Sequence, residues 1–230
     1  MNRHLCKILK QVWLLCLLAC VALVARGETF ELPLKQTSGW QFLKYRKIPP
    51  DTFHCTSAGL VIGVTNSAAP AVFPLTNELR VIELRVRGKI SGSLEVPPDK
   101  QGEKGFDDYT LRVGLVEPGP RTLSWWEKMT AADWVKKLFA LAPPGMGIGK
   151  IHFFNVGTDP AQLGRNRMYS SDDLMEQTVV AVPDADGRFA FTNRFAAPLN
   201  VLAVWISSDG DDTHSSFAVT LNRVELETIP

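Results

Sequence analysis

Tyr109-Thr110-Leu111-Arg112-Val113-Gly114-Leu115-Val116-Glu117 is the stretch that decides the fold class. Tyr109, Leu111, Val113 and Leu115 fall on one side of an extended chain, and Thr110, Arg112 and Gly114 on the other. This two-residue period is that of a strand with one face against a core. The same alternation runs back through 29–34, 40–45, 60–65, 80–87 and 91–96, with glycine or proline about every eight to twelve residues. That spacing predicts an antiparallel sandwich or barrel. Between the last two strands, 97–105 (PPDKQGEKG) reads as a solvated loop.

The closing part repeats the pattern. Strands over 178–182 and 188–192 flank Pro183-Asp184-Ala185-Asp186-Gly187, a hairpin-turn composition. Residues 201–206 (VLAVWI) are apolar on both parities, which predicts a central strand covered on both faces. In 216–227, Phe217, Val219 and Leu221 lie on one parity and Val224 and Leu226 on the other, predicting a bulge near Asn222 and Arg223.

The middle departs from this. Ser124 with Glu127, and Thr130 with Asp133, both have the spacing of a capping box. A helix is expected from Thr130, carrying Trp134, Leu138 and Leu141 on one face, opposite Lys136 and Lys137, and ending at Pro143-Pro144-Gly145. Beyond it, 145–150 (GMGIGK) reads as a flexible elbow, 151–156 as a strand, and Asp159-Pro160 and Ser171-Asp172-Asp173 as starts of one-turn helices. The expected organisation is one β-sandwich domain over 28–230 with a helical insertion over about 119–177.

The first 27 residues read as an address. Arg3, Lys7 and Lys10 precede an acid-free apolar run over 12–25, the layout of a secretory signal peptide and short of the roughly 20 residues a membrane span needs. Ala25-Arg26-Gly27 offers small residues for cleavage before Glu28, and a cut after Ala25 is the alternative. Leu17-Leu18-Ala19-Cys20 also has the form of a bacterial lipobox, in which Cys20 would carry lipid. The expected location is periplasmic or secreted. Cleavage removes Arg3, Lys7, Lys10 and Arg26 and no acidic residue, leaving 21 basic against 24 acidic side chains, formally −3. The broad positive field that draws proteins to nucleic acid is missing. Cys6, Cys16 and Cys20 leave too, so Cys55 has no internal disulfide partner, and the neighbouring His54 would point to the opposite side of a strand.

Few residues carry a chemical signal. Asp209, Asp211 and Asp212 place three carboxylates within four positions, an oxygen-rich loop that suits calcium, or else a solvated turn. No other cofactor is signalled. Arg112 lies four residues after Asp108, on the same strand face, which predicts an ion pair. His54, His152 and His214 fall in no zinc-binding spacing, no Gly-x-Ser-x-Gly occurs, and Glu83 and Glu95 are formal acids without a placed partner. Trp125, Trp126 and Trp134 crowd the insertion. Their rings could stack on sugar, lie at a membrane surface beside Lys128, Lys136 and Lys137, or pack on the sandwich.

Two segments carry a family resemblance. Phe106-Asp107-Asp108-Tyr109-Thr110-Leu111-Arg112-Val113 resembles the G-D-D-F/Y-x-x-R-V strand of an exported bacterial family known only as a domain of unknown function, and 204–213 (VWISSDGDDT) resembles its closing D-x-D-x-T turn. Ala68-Ala69-Pro70-Ala71 replaces that family's Ser-Gly-Leu strand start, 82–86 its tryptophan-rich strand, and the 125–142 helix is additional. The resemblance implies a jelly-roll sandwich like those of carbohydrate-binding modules, with no active-site residues to transfer. Three functions follow as expectations: a non-catalytic module binding an envelope or extracellular glycan through Trp125, Trp126 and Trp134; an envelope accessory protein docking on a membrane or protein partner; and a polysaccharide hydrolase or lyase on the same scaffold.

Overall fold

The computed structural model describes residues 27–97, 99–169 and 174–230. The expected address over 1–27 and the helix start at Ser171-Asp172-Asp173 fall, but for Gly27, outside the described residues. The chain is mostly β, with eleven strands and two short helices: β1 Glu28–Glu31, β2 Gln41–Phe42, β3 Thr52–Thr56, β4 Gly59–Thr65, β5 Ala68–Ser93, β6 Leu111–Gly119, α1 Trp125–Thr130, α2 Asp133–Phe139, β7 Gly147–Val156, β8 Asn166–Tyr169, β9 Met175–Ala181, β10 Arg188–Asp209 and β11 Ser216–Ile229.

All strands join one hydrogen-bonded path, β3-β4-β11-β5-β10-β6-β7-β9-β8, with β1 on β11 and β2 on β5. The path folds over on itself because β5 and β10 are long and bend together. Their register shifts between Arg194 and Leu199 and again between Val201 and Ala203. Such bulges bend a strand and raise its twist. On one side of the bend, the second half of β5 pairs with β11 and the first half of β10. On the other, Ala68 to Pro74 pair with the end of β10, which pairs in turn with β6. Two layers result, and one core cluster holds Leu60, Ile62, Val219 and Leu226 from the first layer with Leu111, Val113, Val204 and Ile206 from the second.

The expected mostly-β sandwich is therefore observed, with local differences. The strand expected over 80–87 lies within β5, and of that expected over 91–96 only 91–93 is strand; β5 begins at Ala68, where the proline and alanines gave no strand signal. β7 and β9 are parallel in an otherwise antiparallel sheet. Among the described residues of 119–177 the helices are α1, α2 and the expected single turn after Asp159, a 3-10 turn over Pro160–Gln162, and β7 to β9 are integral to the second layer. The bulge expected near Asn222 lies between Leu221 and Arg223.

Candidate functional site

The second layer differs from the first in carrying a second apolar cluster on its outer face. Val116, Ile151, Phe153, Ala203 and Trp205 point away from the main core and meet Leu138 and Trp134 of α2, together with Leu43 and Tyr45. Strand 201–206 is thus covered on both sides, as its composition demands. A glycine makes the junction fit. Gly114 stands between Phe153 and Trp205 across the strands, and a Cβ there would lie 2.7 Å from the Phe153 ring and 3.1 Å from Cβ of Trp205. Without that atom the Phe153 and Trp205 rings meet edge-to-face, with centroids 5.8 Å apart. Trp134 adds to the stack, 5.8 Å from Trp205 and 5.7 Å from Tyr45, both edge-on. Such geometry is favourable for aromatic quadrupoles and holds the rings in fixed orientations.

α2 covers only part of this face. Beside it a crevice of about 320 Å³ remains open, with Tyr45, Trp134, Phe153 and Trp205 on its apolar side and Asp107, Arg112, Gln177, Asp209 and Asp211 on its polar side. Arg112 organises the polar side. Its Nε donates to Asp209, its Nη1 to Gln177 at 2.9 Å, and its Nη2 to the Asp107 carbonyl, with the Asp107 carboxylate at 3.3 Å. Its guanidinium also lies 4.6 Å from the centre of the Tyr109 ring. Burial alone would lower the guanidinium pKa, but Asp209 and Asp107 outweigh it and hold the charge firmly. Burial pushes the Asp209 carboxyl up to about 6, against the pull of Arg112, and raises Asp107 in the same way.

The network leaves polar atoms free to bind. Gln177 is buried, and its Oε1 accepts from both Arg112 and Asn155. Its amide nitrogen has no partner among the described residues. Asp107 Oδ1 is buried without a partner among the described residues, and a buried polar atom left so costs free energy.

The expected Asp108–Arg112 pair is corrected by these contacts. Arg112 pairs with Asp107 and Asp209, while Asp108 turns to the loop after β10, accepting from the Thr213 amide at 2.8 Å and hydroxyl at 2.7 Å. The strand alternation was read correctly, but Asp107 and Asp108 precede β6, where the two-residue period no longer dictates direction. Of the expected metal set, Asp209 is bound to Arg112, Asp212 accepts from the Asp107 amide at 3.1 Å, and Asp211 is partly buried on the crevice rim. Among the described residues, no three His, Cys, Asp or Glu side chains form a group that could hold a metal ion.

The tryptophans separate likewise. Trp134 lines the crevice, whereas Trp125 and Trp126 on α1 are exposed. The Ser124–Glu127 capping box is present. The second box is not, because Ala132 caps α2 without a side-chain bond and Thr130 Oγ1 bonds back to the Trp126 carbonyl. The expected single helix is thereby two. The 145–150 elbow is largely strand: Gly147 and Gly149 let β7 approach the Arg121 carbonyl and Gly119 closely. The loop over 97–105 is not wholly solvated, since buried Gln101 donates to the Asp108 carbonyl at 2.8 Å and accepts from the Thr158 amide at 2.9 Å. Glu83 pairs with Arg85 and Arg194 and, like Glu95, is not among the crevice residues. Tyr45, Phe153 and Gln177 were missed by sequence reasoning; Tyr45 and Phe153 lay within expected strands, and Gln177 lay just before one, with no signal of its own.

The fold and crevice together define a β-sandwich protein with an aromatic and carboxylate-lined recess on the outer face of one layer. No protein-family model and no curated protein matches the chain. Among solved structures it is similar to the xylan-binding module CBM15, at 10% identity and TM-score 0.37, over 88% of this chain and 97% of that one. It is similar to a family 11 carbohydrate-binding module from Clostridium thermocellum, at 7% identity and TM-score 0.43, over 89% and 98%. A third likeness is the exoplasmic/lumenal domain of VIP36, at 11% identity and TM-score 0.42, over 88% of each chain.

Proposed function

We propose that the protein is an exported, non-catalytic module that binds an uncharged glycan in the crevice between α2 and the second layer. The observation that carries this reading is the recess itself, with aromatic residues on one side and polar residues on the other. Sugars present apolar ring faces and a rim of hydroxyls that donate and accept. Trp134 and Tyr45 suit the first, and the Gln177 amide nitrogen and Asp107 Oδ1 suit the second. The ligand should carry no negative charge, because Arg112 is already engaged by Asp209, Asp107 and Gln177 while Asp211 and Asp212 remain on the rim. An arriving carboxylate would meet like charge, and Arg112, the one cation among the described crevice residues, is already paired. Export is supported by the positive start and the apolar run over 12–25.

The test is a thermal-midpoint screen of neutral and uronate oligosaccharides. A ligand at 100 times its Kd adds about 2.7 kcal/mol, a readily measured shift. A neutral oligosaccharide is expected to raise the midpoint, and Trp134→Ala and Gln177→Ala each to weaken its binding about tenfold. If no neutral sugar shifts the midpoint, the reading fails. Release of new chain ends from a bound polymer would replace it with the hydrolase or lyase reading.

A further inference from the structure

We propose that α1 and the groove beside it form a docking surface for an anionic lipid bilayer. α1 contains no buried residue, and Trp125, Trp126 and Met129 are 63%, 69% and 64% exposed. The two indole rings stand edge-to-face with centroids 4.6 Å apart, and exposed Met146 lies nearby in the chain's return to β7. Large side chains of this kind left in water on one short element favour transfer to an interface. Tryptophan in particular partitions to the headgroup level of a bilayer, where its ring is half apolar and its N–H stays wet.

The helix is held by its polar side. Ser124 and Glu127 form the capping box, and Glu127 also pairs with Arg121 at 3.2 Å, which in turn lies over the Phe139 ring. These contacts leave the apolar residues facing outward.

Charge selects the kind of surface. Lys128 of α1 and Lys136 of α2 line one groove together with Phe139 and Met146, and exposed Lys137 follows in the last turn of α2. The acidic groups in these two helices are Glu127, paired with Arg121, and Asp133, which lies 3.9 Å from Lys136. Apart from the Arg121–Glu127 pair, Lys128, Lys136 and Lys137 face the single carboxylate of Asp133 in these two helices, an excess that complements anionic headgroups. Among the described residues no helix is long and apolar enough to cross a membrane, so the contact would be peripheral. Trp134 lines the sugar crevice from the other flank of α2, so both surfaces can be occupied at once.

The test uses the chain from Gly27 onward, which contains every strand and both helices of the described fold and omits the apolar run over 12–25. It is co-sedimented with phosphatidylcholine vesicles with and without about a third phosphatidylglycerol. Binding is expected to the anionic vesicles. It should fall about tenfold or more in a Trp125→Ala/Trp126→Ala variant with an unchanged thermal midpoint, and several-fold in Lys128→Gln/Lys136→Gln. Bromine-labelled lipid tails should quench part of the tryptophan fluorescence of the unmutated chain and none beyond background in the double-tryptophan variant. The proposal is overturned if the unmutated chain leaves anionic vesicles unbound, if it binds neutral vesicles equally well, or if the tryptophan variant binds and is quenched as before.

Discussion

Trp125 and Trp134 sit on consecutive helices of one short insertion, yet they meet opposite surroundings. Trp134 lies against Tyr45 and Trp205 on the outer face of the second layer, while Trp125 touches Trp126 and solvent. The difference teaches that aromatic residues in one composition cluster can be split by a single break in the helix. Residues 131 and 132 are both extended, at ψ 149° and 151°, so α2 starts afresh in its own direction. One part of the insertion contributes to a packed recess, and the other presents a free surface.

The largest break in that contrast should come from Trp205, buried at the junction of Phe153 and Trp134. Trp205→Ala should cost about 3–5 kcal/mol in denaturant unfolding, the range for truncating a packed aromatic. A loss below about 1 kcal/mol would mean the outer cluster is not a true second core.

A pH series sharpens the comparison on the recess side. Buried Asp51 accepts from the Ser67 hydroxyl at 2.6 Å and the Ala69 amide at 3.0 Å, just before β5 enters the crevice wall. Desolvation pushes its carboxyl up to about 8, above its unfolded value near 4. Between those values the folded state holds a proton that the unfolded state releases, so the contribution of Asp51 to stability is fully present below pH ~4 and is lost as pH rises to about 8. The slope is at most about 1.4 kcal/mol per pH unit. Asp51→Asn keeps one acceptor for Ala69 and a donor for Ser67, and should flatten that part of the profile in urea titrations run across the window. An unchanged profile would remove Asp51 as its source.

The smallest effect belongs to the exposed pair. Trp125→Ala with Trp126→Ala should change unfolding free energy by no more than about 0.5 kcal/mol, as for other surface positions without special contacts. A larger loss would show that α1 packs on the sandwich in solution, and would erase the contrast with Trp134.

Much of the sandwich was legible because alternation is a local property. The strand around Leu111, the doubly apolar 201–206 run and the bulge after Leu221 each follow from side-chain parity alone. Ala68 to Pro74 was illegible because prolines and alanines carry little strand propensity, and only pairing with β10 and β2 makes it a strand. The recess was half legible. Trp134 and Asp209 stood out by composition, whereas Tyr45, Phe153 and Gln177 come from separate strands and loops and converge only through register.

What the sequence determined by itself was therefore the mostly-β class, the parity of the alternating strands such as those at Leu111 and Val219, and the capped start of α1, because these depend on contacts within a few residues. Tertiary structure alone decided that Arg112 would be shared by Asp107 and Asp209 and not by Asp108, and that a recess would open beside Trp134. Those outcomes depend on how β5 and β10 bend to set two layers together, and a bend of that kind is written in long-range register, which no local pattern contains.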